Sequence, residues 1–150
     1  MINEQTIVDS PDIRTCVCAN LRRTTRMVTQ AYDAALRPAG LRATQFTLLA
    51  VLAKRGQLRQ SYLAEILVVD GTTLTRNLRP LVKNQWIEID RDSDQRVRLI
   101  SITAKGRRIL AKAVPMWQQV HARFVTGLGD EQWSYLLTAL TEATAIAQRD

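Results

Sequence analysis

The chain has 150 residues, of which 46% are hydrophobic and 23% charged, a composition typical of one folded domain and not of a disordered protein. It contains no apolar run of about 18 residues and no basic-then-apolar leader, so we expect no membrane span, no export and a cytoplasmic location. Two cysteines are too few for a disulfide framework and are expected to be free thiols, while the formal net charge of +7 favours a polyanionic partner.

The positive charge is concentrated in the middle of the chain. Residues 54–108 hold 12 lysine and arginine residues against 6 acidic ones, whereas residues 1–53 hold 6 against 4 and residues 109–150 hold 3 against 4. A mild excess spread over a surface would need no explanation beyond solvation. Its concentration in one segment favours a face that binds nucleic acid.

Two helices are predicted in the first third. Ser10, Pro11 and Asp12 supply an N-cap hydroxyl, a proline at the first helical position and a carboxylate at the positive end of a helix. We therefore predict a helix from Ser10 that ends in the segment 37–40. A second helix is predicted over residues 42–54.

Two short helices joined by a tight turn come next. They are predicted over residues 60–67 and 72–84, with the turn at 68–71, and Pro80 is expected to distort or shorten the second of them. Apolar residues on the two helices have the spacing needed to pack together, which is typical of a helix-turn-helix. These residues are Leu63, Ile66, Leu67, Leu74, Leu78 and Leu81.

Alternating polar and apolar residues then predict a β-hairpin, with strands at 86–90 and 98–102 and a charged tip between them. Thr103 begins a long helix to about Phe124, with a bend expected at Pro115, and Asp130 is predicted to cap a last helix that runs through Ile146. The first and last helices carry long apolar stripes. Pairing of two subunits across a two-fold axis would bury them.

The outward face of the helix that begins at Thr72 is the predicted DNA-reading surface. Arginine pairs with guanine, asparagine with adenine, and the threonine methyl contacts the thymine methyl. Arginines at the hairpin tip can enter the minor groove. The DNA-binding residues predicted are Thr72, Thr73, Thr75, Arg76, Asn77, Arg79, Arg96 and Arg98. Two alternatives stay open: a merely solvated helix face with an ordinary charged hairpin turn, or a winged-helix module that binds protein and never DNA.

Four segments together resemble the multiple antibiotic resistance regulator (MarR) family, and the resemblance runs from Leu21 to the last helix. The segments are Leu74-Thr75-Arg76-Asn77-Leu78, Asp94-Gln95-Arg96, residues 100–106 and residues 41–48. Two departures from the family pattern are Pro80 inside the recognition helix and Arg42 where a capping threonine or serine is usual.

The resemblance implies a mainly α (α+β) fold, a winged helix-turn-helix on a single chain, 1–150. Residues 10–37 and 104–148 would form a dimerisation bundle, and residues 42–103 a DNA-binding lobe. The protein would be a homodimeric, sequence-specific repressor of a double-stranded, pseudo-palindromic operator, released by a small aromatic or oxidant effector. Arg96 would lie in the minor groove. Asp94 corresponds to the family's wing aspartate and is expected to pair with an arginine and fix the tip.

Two groups of residues are candidates for effector sensing. Cys16 and Cys18 lie near the start of the first helix, whose dipole favours a thiolate, and in the resemblance Cys18 and Tyr32 align with residues of organic-hydroperoxide sensors. Arg22 stands where a second tyrosine is expected, and the cysteines point about 200° apart around a helix, so neither mutual pairing nor joint chelation is expected. Filling of a dimer core, oxidant sensing and metal or electrophile sensing remain as alternatives.

His121 and Trp117 form the second candidate group. His121 is the only histidine; it lines a cleft for a small aromatic acid or is simply a polar histidine on a helix surface. One histidine and the absence of the HExxH, CxxC, GxSxG and phosphate-loop motifs leave little from which to build an active site. We therefore expect no enzyme, no catalytic residue, no metal site and no cofactor.

Overall fold

The computed structural model describes residues 12–149, which form a mainly helical chain with one small antiparallel sheet, as predicted. A short 3-10 turn, Arg37–Ala39, follows the first helix. The elements in chain order are α1 (Val17–Leu36), α2 (Ala43–Arg55), β1 (Leu58–Arg59), α3 (Gln60–Leu67), α4 (Gly71–Lys83), β2 (Ile87–Arg91), β3 (Arg98–Ile102), α5 (Ala104–Leu128) and α6 (Asp130–Ala147).

The first helix begins later than the sequence predicted, at Val17 and not at Ser10. Ser10 and Pro11 lie outside the described residues. Asp12 belongs to a turn, because its carboxylate accepts hydrogen bonds from the backbone N–H of Arg14 at 3.0 Å and from Nε of Arg14 at 2.9 Å. These contacts compete with helix formation, and they also lower the pKa of Asp12. The helical segment of the proposed dimerisation region is therefore shorter than 10–37.

The start of α2 is satisfied by residues other than a capping hydroxyl. Arg42 occupies the N-cap position but its side chain has no acceptor. The carboxylate of Asp33, on α1, instead accepts a hydrogen bond from the N–H of Ala43 at 2.7 Å, and Gln45 Oε1 accepts one from the N–H of Arg42 at 2.9 Å. The departure at Arg42 is thus compensated, and Asp33 ties α1 to α2.

The core of the middle lobe lies between α2, α3, α4 and the sheet. Its fully buried side chains include Leu49, Leu52, Leu63, Leu74, Leu81 and Ile100. The sheet order is β1-β3-β2, with Leu58 opposite Ile100 and Ile89 opposite the same residue from the other side. Strand β1 was not predicted, since two residues are too few to show alternation.

Three expectations about where helices begin and end are corrected. The helix α4 continues for three residues beyond Pro80, so this proline does not shorten it. The helix α5 extends through Pro115 to Leu128, and Gly129, not Asp130, occupies the N-cap of α6. No helix within residues 12–149 is long and apolar enough to cross a membrane.

Candidate nucleic-acid interface

The N-terminus of α4 is fixed by Asp70. Its carboxylate accepts hydrogen bonds from the backbone N–H of Thr73 at 2.8 Å and from the Thr73 hydroxyl at 2.6 Å. Both bonds favour the charged form, and they lower the pKa of Asp70. Sequence reasoning missed Asp70, although an aspartate directly before a helix is an ordinary N-cap signal.

The two faces of α4 are sharply different, as the sequence predicted. Leu74, Leu78 and Leu81 are buried against the core. Thr72, Arg76 and Arg79 are exposed, and Asn77 is half-buried. Together with Gly71 and Thr75, the three exposed residues line a shallow depression of about 320 Å³, called here the helix depression. It is open to solvent and carries two arginines, so it can accept an anionic or hydrogen-bonding surface.

Two of the predicted α4 residues use their hydroxyls within the protein. The Thr73 hydroxyl donates to Asp70, as described. The Thr75 hydroxyl donates to the carbonyl of Gly71 at 2.8 Å and accepts from Nε2 of Gln60 at 3.1 Å. Gln60 was missed by the sequence analysis because its contact with α4 depends on how α3 packs. Thr73 and Thr75 therefore hold α4 in place through their hydroxyls.

The β2–β3 hairpin is called here the wing. Asp94 organises its tip. Its Oδ1 accepts a hydrogen bond from the backbone N–H of Arg96 at 3.0 Å, and its carbonyl accepts one from the N–H of Val97 at 2.8 Å. The expected pairing of Asp94 with an arginine side chain is not found among the described residues. The reason is local, since an aspartate two residues before an N–H forms its own turn. Asp94 shapes the backbone that carries Arg96.

A second depression lies between α3 and the wing. It has a volume of about 420 Å³, and we call it the arginine groove because three arginines line it. Its lining residues are Arg59, Gln60, Ser61, Ala64, Gly71, Arg96, Val97 and Arg98. Gly71 also lines the helix depression, so the two depressions adjoin at the start of α4. The structure thus brings the wing arginines next to α4, and adds Arg59, which the sequence analysis missed.

His121 is a half-buried member of an aromatic cluster. Its ring stacks on Trp117 with centroids 4.5 Å apart, and it meets the Trp133 ring in a T-shaped arrangement with centroids 5.2 Å apart. The Tyr32 hydroxyl is 3.3 Å from Nδ1 of His121, and Tyr32 stacks on Phe124 at 5.8 Å. Burial raises the pKa of Tyr32. The cluster joins α1, α5 and α6, so three of the predicted effector residues are in contact.

The cysteines lie elsewhere on α1. Cys16 is its N-cap residue and Cys18 lies in its first turn, and both are exposed in a single subunit. Within residues 12–149, no group of three histidine, cysteine or acidic side chains could hold a metal ion.

Known proteins resemble this chain in sequence and in overall fold. The model of the MarR family matches residues 41–97, from the start of α2 to the tip of the wing. The transcriptional regulator MosR of M. tuberculosis, solved in complex with DNA, is 39% identical, with a TM-score of 0.79 over 89% of this chain and 98% of that chain. A second structure of MosR gives 36% identity and a TM-score of 0.82 over 93% of this chain and 100% of that chain.

One curated relative is similar over a shorter stretch. The uncharacterized HTH-type transcriptional regulator YwoH of Bacillus subtilis (strain 168) is 25% identical over 88 residues, which are 59% of this chain. The match spans 64% of the length of that relative.

Proposed function

Since the chain belongs to the MarR family of winged-helix transcriptional regulators, we propose that it binds a pseudo-palindromic DNA operator as a homodimer and represses the promoter it covers. Family members are regulators and not enzymes, so the proposal includes no catalytic role. MosR was solved in complex with DNA, which supports DNA as the partner here. A protein that acts on the chromosome would reside in the cytoplasm.

The main support for DNA binding is that the helix depression and the arginine groove lie side by side. One bears Arg76 and Arg79, the other Arg96 and Arg98, and both include Gly71. Winged-helix proteins insert a recognition helix in the major groove, and basic side chains of flanking arms or hairpins enter the adjacent minor groove. A continuous surface with cations on both elements suits that mode of binding. A protein-interaction module would instead be expected to present an apolar or acidic outward face on residues 72–79.

We assign different tasks to the residues of this surface. Arg76 and Asn77 would read base edges, because guanidinium and carboxamide groups make bidentate contacts with guanine and adenine, and the methyl group of Thr72 would contact thymine. Arg79 and Arg98 would bind phosphates. Arg96 would enter the minor groove. Thr73 and Thr75 would position α4 and contact DNA only through their methyl groups, since their hydroxyls are engaged.

The apolar faces of α1 and α6 support a homodimer. No residue of α6 is buried in a single subunit. Tyr135 is 77% exposed and Ile146 is 66% exposed. Contiguous apolar surface of this kind marks an interface, and a symmetric pair would bury it. The apolar side chains left exposed on these helices are Val17, Leu21, Met27, Tyr135, Leu136, Leu137, Leu140 and Ile146.

An effector would act by favouring one spacing of the two recognition helices over another. The free energy by which the effector shifts the equilibrium between these two states would equal the difference in its binding free energy to them. The cluster of Tyr32, Trp117 and His121 is one candidate site, for a small aromatic acid, because it joins the proposed dimerisation helices α1, α5 and α6. Cys16 and Cys18 are the second, for an oxidant, because both are exposed.

Selection of bound duplexes from a random DNA pool tests the proposal. We expect enrichment of one inverted repeat with half-sites about one helical turn apart. Repeating the selection with aromatic acids and with hydroperoxide, using Cys18→Ser and His121→Ala variants, tells the two effector candidates apart. Enrichment of no sequence by a folded protein would contradict the proposal and favour a protein-interaction module.

A further inference from the structure

Arg59 is a cation beside the wing, with a backbone fixed in the sheet and a side chain that is mostly exposed. Its backbone belongs to β1, opposite Leu99 of β3, so it is anchored beside Arg98 in the same sheet. It also occupies the N-cap position of α3. Its side chain is nevertheless 64% exposed over the arginine groove. Arg59 can therefore change its partner without any change in the fold.

The present partner of Arg59 is Asp92, and the contact between them is weak. Nη2 of Arg59 lies 3.8 Å from Oδ2 of Asp92, which is too far for a charge-assisted hydrogen bond of about 2.7–2.9 Å. Exposed ion pairs of this kind contribute little to stability. A ligand that offers Arg59 a direct hydrogen bond would displace Asp92.

Asp92 itself is held in place independently of Arg59. Its Oδ1 accepts hydrogen bonds from the backbone N–H of Ser93 at 2.7 Å and from the Ser93 hydroxyl at 3.2 Å. Its own N–H donates to the carbonyl of Val97 at 3.0 Å. The carboxylate therefore stays near the groove whether or not Arg59 faces it, and it is the one acidic group in an ion pair with the groove's arginines among residues 12–149.

We propose that Asp92 is a built-in competitor of the DNA backbone: it faces Arg59 in the free protein, and a DNA phosphate replaces it as the partner of Arg59. This inference rests on the proposed function. Guanidinium groups bind phosphate in a bidentate manner and are weakly hydrated, so the exchange replaces a long contact with short hydrogen bonds. Neither Arg59 nor Asp92 lies on α4. Asp92 therefore lowers affinity for every DNA sequence alike and leaves the choice of bases unchanged.

The salt dependence of binding tests the competition. Affinity for the selected operator and for an unrelated duplex is measured for the wild type and for Arg59→Ala, Arg59→Lys, Asp92→Asn and the double variant Arg59→Ala/Asp92→Asn. We expect Asp92→Asn to bind both duplexes about two- to fivefold more tightly, the range of an exposed ion pair. Arg59→Ala should reduce the slope of log affinity against log salt by about 0.9 for each phosphate that the variant no longer binds. Arg59→Lys should retain the slope.

The double variant decides between competition and simple charge repulsion. If Asp92 acts through Arg59, its removal gains nothing in the Arg59→Ala background, whereas the control Asp90→Asn has the same effect in both backgrounds. An equal gain from Asp92→Asn in both backgrounds would overturn the proposal, as would an unchanged slope for Arg59→Ala. Failure of the wild type to bind DNA would contradict the proposed function instead.

A free phosphate ion is the other source of the same ligand chemistry. Adding inorganic phosphate at constant ionic strength should leave the DNA affinity of the wild type unchanged if the groove is specific for the DNA backbone. A loss of affinity that Arg59→Ala abolishes would show that the groove takes a free anion and would overturn the assignment.

Discussion

The carboxylate of Asp70 holds Thr73 by two hydrogen bonds, one to its backbone N–H at 2.8 Å and one to its hydroxyl at 2.6 Å. This contact fixes the first turn of α4, the turn that presents Thr72 and precedes Arg76. The stability of the fold and the accuracy of the DNA-reading surface therefore depend on the same residue.

The Asp70 cap predicts a pH-dependent loss of stability. Because the pKa of Asp70 is lowered in the folded protein, the cap contributes fully above the unfolded value, near 3.8, and its contribution is lost as pH falls through the folded value. Asp70→Ala should therefore lower the thermal midpoint at pH 7, and the difference from wild type should shrink below about pH 4. Asp70→Asn, which keeps an acceptor, is the control. A difference that is constant down to pH 3 would contradict this role.

Val68 is expected to be a destabilising residue in the turn between α3 and α4. It has a φ of 52° and is 59% exposed, so it adopts a left-handed conformation without burying its side chain. Val68→Gly should raise the free energy of unfolding by about 1 kcal/mol, the usual cost of this conformation for a residue with a Cβ. The same change at the helical residue Val82 should lower it by a similar amount. The free energy of unfolding of both variants is measured in urea, and an equal change for Val68→Gly and Val82→Gly would refute the role of the left-handed conformation.

Gly106 is required by close packing between α5 and the residue before β2. A Cβ at this position would overlap the carbonyl oxygen of Trp86 and approach Cγ1 of Ile102 to 2.8 Å. That carbonyl cannot move freely, because it accepts a hydrogen bond from the N–H of Thr103 at 3.0 Å. Gly106→Ala should lower the free energy of unfolding by about 1–3 kcal/mol. Gly127→Ala, on the same helix and with open space around it, should be neutral or stabilising.

The proposed dimer predicts that a charge on the apolar face of α6 gives monomers. Leu140 is 38% exposed in a single subunit. Leu140→Glu should shift sedimentation from dimer to monomer and reduce operator affinity by at least tenfold, since the two half-sites would no longer be bound together. Glu142→Lys changes a residue about 200° away around the helix and should leave the dimer intact. A wild-type protein that sediments as a monomer at micromolar concentration would refute the interface.

The elements that the sequence predicted well are those defined by repeated burial. The helix α3 has the predicted bounds, and the inward leucines of α4 are buried as expected, because their spacing directly reflects the helical period. The wing strands followed from alternation. These features need only a few residues and one periodicity to be recognised.

The features that the sequence did not predict depend on contacts between neighbours or across the fold. The predicted start of α1 was wrong because the Asp12 carboxylate accepts a hydrogen bond from the N–H of Arg14 and so favours a turn over a helix. The partner expected for Asp94, an arginine side chain, was wrong because its carboxylate accepts from the backbone N–H of Arg96. Gln60 and Arg59 gain their positions only when α3 packs against α4 and β1 pairs with β3. The packing of α3 on α4 and the pairing of β1 with β3 cannot be recognised from a pattern along the chain.

If the exposed face of α4 reads DNA sequence, loss of the Arg76 guanidinium should reduce the preference of the protein for its operator. Mobility shifts compare wild type and Arg76→Ala on the selected operator and on a scrambled duplex of the same length. We predict that the variant binds the operator more weakly by about 1–3 kcal/mol and the scrambled DNA by much less, so that the preference between the two duplexes falls. Equal weakening on both duplexes would contradict base reading by this helix.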